Sequence, residues 1–253
     1  MPNGSSARRD FAYRSSTNCG WFRGASAGFL NHSRGGVFLQ DLIRRRKPKT
    51  VVEVGLAFGI SALFICEALQ ECGGLRHTAI DAHQSTQWHG IGMNNLRLAG
   101  FGHLAECIES HSHLALPEIA AKSTRVEFAF IDGWHTFDHT LTDFFNIDRI
   151  LAVGGVVVFD DVFYPGVHQV CRYVATNRAY RVIGCTQQLE DFKPSNFARI
   201  LRRASKLSLN VRKLLRTKFV IPDETLGFTP DCRCVAFEKR GEDTRGWAEH
   251  HDF

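Results

Sequence analysis

The sequence predicts an α/β fold, a doubly wound and mainly parallel seven-stranded sheet with an antiparallel last strand. Three observations carry this. Short apolar runs rich in β-branched residues recur from residue 50 onward, as strands buried on both faces require. Segments with helical apolar spacing alternate with them. Glycines stand at several of the junctions, where a chain changes direction most cheaply.

Taken in order, TVVEV (50–54) is the first strand, GLAFG its glycine-rich exit, and ISALFICEALQ the first helix of the repeat. RHTAID (76–81) is the second strand, and MNNLRLAG (93–100) a helix stopped by Gly100. LAECIE (104–109) and VEFAFID (126–132) are the third and fourth strands, separated by the helix HLALPEIAAK. TFDHTLTDFFNIDRILAVGG reads as one amphipathic helix ending at Gly154 and Gly155. VVVFDD (156–161) follows as the most hydrophobic strand, then a helix over 166–177. YRVIGC (180–185) and RCVAFEKR (233–240) close the pattern, and residues 186–229 interrupt what would otherwise be a simple hairpin. Residues 1–32 show no clear period and are expected to form an N-terminal arm or lid, with one domain over 33–253.

Composition narrows the classes. At roughly 150 residues per domain, 253 residues make one large domain or two small ones. A chain that is 44% hydrophobic and 23% charged buries an ordinary globular core, which excludes disordered and disulfide-built classes. There is no apolar run of membrane-spanning length and no signal-peptide block in the first thirty residues. Eight cysteines form no Cys-x-x-Cys pair and several sit in apolar runs, so reduced thiols in a cytoplasmic protein are expected. The net charge of +5 is local: residues 193–218 carry nine basic side chains and no acidic one, and the remainder is −4. That distribution argues against a whole-protein nucleic-acid binder.

The first strand-to-helix turn, Glu53-Val-Gly55-Leu-Ala-Phe-Gly59-Ile-Ser61, is where an open α/β sheet binds ligands. Its Gly-x-x-x-Gly spacing differs from the dinucleotide fingerprint and lacks the Gly-Lys-Ser/Thr end of a phosphate loop. Asp81, at the end of the second strand and 22 positions beyond Gly59, can accept hydrogen bonds from ribose hydroxyls.

Together VVEVGLAFGIS, AIDAH, VEFAFIDGWHTFDHTLTDF and LAVGGVVVFDDV resemble the class I S-adenosylmethionine-dependent methyltransferases, over about residues 33–185. The nearest likeness within that class is to the O-methyltransferases of catechol and macrolide-sugar type. The resemblance implies a Rossmann-like fold and S-adenosylmethionine as cofactor. It implies that Glu53, Gly55, Gly59 and Ser61 line the methionine part, that Asp81 holds the ribose, and that Ser112 and His113 border the adenine. His111 and His113 could otherwise be a metal pair, but no third zinc-type ligand stands nearby.

Asp132 closes the fourth strand and Asp160-Asp161 the fifth, so parallel pairing brings three carboxylates together. A hard divalent cation such as Mg²⁺ relieves their repulsion. Helix capping by these aspartates is the structural alternative. The resembled O-methyltransferases use the same acidic trio, often with Asn in the place of Asp161. A cation on the acceptor hydroxyl would lower its pKa and orient it toward the sulfonium methyl. His135, three residues beyond Asp132, is the candidate general base and matches the position of the family's base. His139 is an ordinary helix residue on the plainer account, and Trp134 is a pocket wall or core.

The expected partner is therefore a small-molecule hydroxyl acceptor: sugar, glycoside or phenol. Residues 196–218 add an amphipathic basic helix, which packs on the domain or on a second subunit of a homo-oligomer, covers the acceptor pocket, or grips an anionic surface. An RNA methyltransferase using that helix, and a non-catalytic cofactor-binding subunit, are the competing functions.

Overall fold

The computed structural model describes residues 25–122, 125–187, 200 and 221–253. Along them run α1 (Ala25–Arg46), β1 (Thr50–Val54), α2 (Ile60–Glu71), β2 (Arg76–Ile80), α3 (Ile91–Leu98), β3 (Ala105–Ile108) and α4 (Ser112–Ala121). Then come β4 (Val126–Ile131), α5 (Phe137–Ile150), β5 (Leu151–Phe159), α6 (Pro165–Asn177), β6 (Tyr180–Cys185), α7 (Asp223–Leu226) and β7 (Val235–Lys239). The expected N-terminal arm lies outside the described residues up to residue 24, and the basic helix does so apart from Ile200.

The seven strands form one sheet in the order β3-β2-β1-β4-β5-β7-β6. The first five pair in parallel, and β7 inserts antiparallel between β5 and β6. This is the expected architecture, antiparallel last strand included. The chain leaves β1 toward β2 on one side and returns to β4 on the other, so the switch in strand order falls between β1 and β4.

Alternate residues of each central strand feed opposite layers. Val52, Val54, Ala129, Ile131, Val157 and Phe159 pack with α4, α5 and α6, whereas Val51, Phe128, Phe130, Val156 and Val158 pack with α1 and α2. Phe144 of α5, Phe159 of β5 and Phe237 of β7 form a chain of rings 5.9 and 5.7 Å apart, each fully buried. A ring buried in that way contributes about 1.5–3 kcal/mol by area alone. Among the described residues no helix is long and apolar enough to cross a membrane.

Two elements differ from the sequence reading. The helix expected to run to Gly155 stops at Ile150, and Leu151–Gly155 already belong to β5, with Leu151 paired to Val126. Gly154 adopts a positive φ of 86°, and the ladder shifts register between Val126 and Phe128. That irregularity hides the strand start behind a helical pattern. The second difference is α1, a helix that the sequence reading did not assign and that begins inside the expected arm.

Candidate active site

The glycine loop is shaped by its neighbours. Gly55 has φ 90°, and a Cβ there would stand 2.0 Å from the Asp132 carbonyl oxygen, so only glycine lets β1 and β4 run side by side at their exits. Gly59 has φ 74°, caps the N-terminus of α2 and abuts the backbone of Gly92 in α3. Glu53 is fully buried beneath the loop. It accepts hydrogen bonds from Ser61 Oγ and, at 2.8 Å, from His77 Nε2. Glu53 therefore braces the turn from below.

Asp81 closes the other side of the loop. Its Oδ2 accepts the N–H groups of Leu56 at 3.1 Å and Ala57 at 2.8 Å, and its Oδ1 that of His83 at 2.9 Å. These bonds hold Ala57 in a left-handed conformation, φ 45°. A cavity of about 560 Å³ opens beside them, lined by Gly55, Asp81, Ser112, His113, Asp132 and Trp134 among others. Asp143 of α5 also reaches this cavity, and burial pushes its carboxyl up to about 6 against the hydrogen bond with Ser112. A second cavity of about 270 Å³ holds Ser61, Gly36, Asp160 and Arg233, and the two share Ala57, Trp88 and Asp132.

The strand ends bring the acidic residues together. The ladder continues past the strands, with Gly55 N–H on Ile80 O, Asp132 N–H on Val54 O and Asp160 N–H on Ile131 O. His135 Nε2 lies 3.2 Å from Asp132 Oδ1 and 3.2 Å from Asp161 Oδ2. Asp132, His135 and Asp161 present ligand atoms that all fall within 4.8 Å of one another. Asp161 takes a positive φ of 51°, a strained geometry for a non-glycine residue and a mark of functional turns. Asp160 is placed differently from the expected ligand trio. Arg233 Nη2 binds its Oδ2 at 2.9 Å, and Cys234 Sγ contacts its Oδ1 at 3.0 Å.

Charges at the cluster act on one another. Burial, with Asp160 and Asp161 close by, pushes the Asp132 carboxyl upward. The hydrogen bond to Asp132 and the neighbouring carboxylates raise His135 above the ordinary imidazole value, against its partial burial. Trp134 is 65% exposed, which removes it from the core. Phe163 and Tyr164 are exposed as well, their rings 4.7 Å apart, and Tyr164 lies 5.3 Å from His135 between ring centres.

Residues 52–162 match the family model described as a methyltransferase domain. Over that stretch, less than half of its length, the chain is similar to the methyltransferases. Tapetum-specific methyltransferase 1 of Arabidopsis thaliana is 29% identical to this chain over 133 residues, 51% of this chain and 54% of the relative. A probable caffeoyl-CoA O-methyltransferase of the same plant is 26% identical over 148 residues, 55% of this chain and 59% of the relative. The chain thus spans little more than half the length of the curated relatives it matches. An O-methyltransferase from Bacillus cereus, solved in complex with SAH, superimposes with a TM-score of 0.57 at 18% identity. That match covers 70% of this chain and 82% of the bacterial one, and it shows the shared fold.

Two residues at this site escaped the sequence reading. Arg233 lies 72 positions beyond Asp161 and arrives only because β7 inserts beside β5. Asp143 sits mid-helix in a polar stretch, and only its aim into the cavity distinguishes it.

Proposed function

We propose that this chain is a methyltransferase that transfers the methyl group of S-adenosylmethionine to a hydroxyl oxygen of a small ring-bearing molecule, a phenol or a glycoside. The observation that supports this best is the convergence of Asp132, His135 and Asp161, with Asp132 lining both cavities beside the glycine loop. Asp81 keeps acceptor capacity on Oδ1 for a ribose hydroxyl, and Ser112 and His113 border the far wall, where adenine would lie. Gly36 and Ser61 line the smaller cavity, which suits the methionine tail.

Asp132 and Asp161 fit a divalent cation: both are carboxylates on adjacent strand ends, with His135 alongside. Such a cation, Mg²⁺ or another, would lower the pKa of an acceptor hydroxyl. His135 is the base that takes the hydroxyl proton on Nε2, and its carboxylate neighbours strengthen it for that role. Trp134, Phe163 and Tyr164 offer ring faces against which a flat or sugar acceptor stacks. The free thiols among the described residues suit a reducing compartment such as the cytoplasm.

The test is a screen of phenols and glycosides with methyl-labelled cofactor, run with and without EDTA. Label on an acceptor oxygen, lost on chelation, is the expected result. Full transfer in EDTA removes the cation from the mechanism, and label on nitrogen or RNA alone overturns the acceptor class.

A further inference from the structure

The acidic cluster already contains a cation of its own. Arg233 Nη2 bridges Asp160 Oδ2 at 2.9 Å and Asp161 Oδ1 at 3.4 Å, and its side chain is largely buried. Asp160 is almost entirely enclosed, and its other oxygen faces Cys234 Sγ at 3.0 Å. Both oxygens of Asp160 are thereby engaged, while Asp132 and Asp161 both face His135. A divalent ion entering the cluster meets a fixed guanidinium beside two of the three carboxylates. Like charges that close repel strongly in a partly buried site. Asp160 cannot turn to the ion without giving up its 2.9 Å contact with Arg233, which leaves the largely buried guanidinium only the longer contact with Asp161, and that is costly.

We infer that Arg233 is a positioning residue that withholds Asp160 from the divalent cation, leaving Asp132 and Asp161 to hold it with His135 beside them. The inference rests on the cation proposed above and goes further: it names which carboxylate is excluded and what excludes it. In consequence this chain binds its cation more weakly than the same three aspartates would without the arginine.

Mn²⁺ titrated into the full chain, with free Mn²⁺ followed by electron paramagnetic resonance, tests this. Arg233→Gln is expected to bind Mn²⁺ about tenfold or more tightly than the wild type, since a like-charge contact of this kind outweighs a tenfold factor. Arg233→Lys, which keeps the charge, should stay near the wild type. Adding Asp160→Asn to Arg233→Gln should abolish the gain, because the gain comes from Asp160 joining the ion. Asp160→Asn alone should leave Mn²⁺ affinity within about threefold of the wild type, as expected for a carboxylate that is not a ligand. This arm stands even if Arg233→Gln fails to fold, which SAH binding by calorimetry checks. Equal or weaker Mn²⁺ binding by a folded Arg233→Gln overturns the inference alone, as does a tenfold loss in Asp160→Asn. Absence of Mn²⁺ binding in every protein, wild type included, overturns both the inference and the proposed cation.

Discussion

His135 concentrates the chemistry in one side chain, since its Nε2 faces two carboxylates and its ring packs near Tyr164. His135→Ala should lower methyl transfer by about 10²-fold or more, the usual contribution of a general base, while SAH binding measured by calorimetry stays unchanged. Lost SAH affinity would make His135 a structural residue instead. The neighbouring carboxylates raise its pKa in the cation-free chain. Turnover should therefore grow as pH rises through the titration of the ring, where it becomes free to accept a proton, and a cation held by those carboxylates should move that rise to lower pH. Gly55 sets a steric limit of another kind. Gly55→Ala would place a methyl 2.0 Å from the Asp132 carbonyl in a left-handed backbone, so β1 and β4 must part. A loss of about 1–3 kcal/mol in chemical denaturation and weakened SAH binding are expected, and an unchanged denaturation midpoint would refute this packing account. Residues of this kind were legible before any coordinates because they sit at strand ends, where sequence order and spatial order coincide. Asp132 and His135 are three positions apart, and Asp161 stands just past the end of the next strand of the sheet. Arg233 was not legible, because nothing local in DCRC marks it as the partner of an aspartate on another strand.

Elements were legible wherever burial is two-sided. TVVEV, VEFAFI and VVVF carry continuous apolar runs because each of these strands is covered on both faces, and no competing structure explains such runs as simply. The first helix was missed for an identifiable reason. Its middle holds Gly35 and Gly36, and two adjacent glycines each disfavour a helix by about 1 kcal/mol relative to alanine. Packing overrides that preference. A Cβ on Gly36 would lie 2.4 Å from the ring of Phe64 in α2, and one on Gly35 would lie 3.3 Å from Cys234 Sγ. The glycines let α1 settle onto α2 and the sheet, where Leu39, Leu42 and Ile43 complete the core of that face. Gly36→Ala should therefore destabilise the fold by about 1–3 kcal/mol despite alanine's better helix propensity, as overpacking does. Urea denaturation decides it: a gain in stability would mean that propensity, not the contact with Phe64, governs this helix.

Across the whole molecule, buried carboxylates of opposite character shape the dependence of stability on pH. Asp223, although partly buried, is held below the ordinary carboxylate range by His168 and Arg172, so its contribution is present above that range and is lost only in strong acid. Asp143 works the other way. Burial raises it from 3.8 to about 6, so between those values the folded chain keeps a proton that the unfolded chain has released. Stability then falls as pH rises through this window and is level above it, where the folded state carries a buried carboxylate. Asp143→Asn removes the titration while keeping an oxygen to face Ser112. Thermal midpoints recorded between about pH 4 and pH 8 should show the variant similar to the wild type at the acid end and more stable near neutrality. Parallel curves would place the titration elsewhere. Because Asp143 lines the larger cavity, a bound nucleoside would exclude water from it further. Saturating SAH should therefore extend the falling window to higher pH in the wild type and leave the curve of Asp143→Asn unchanged in shape.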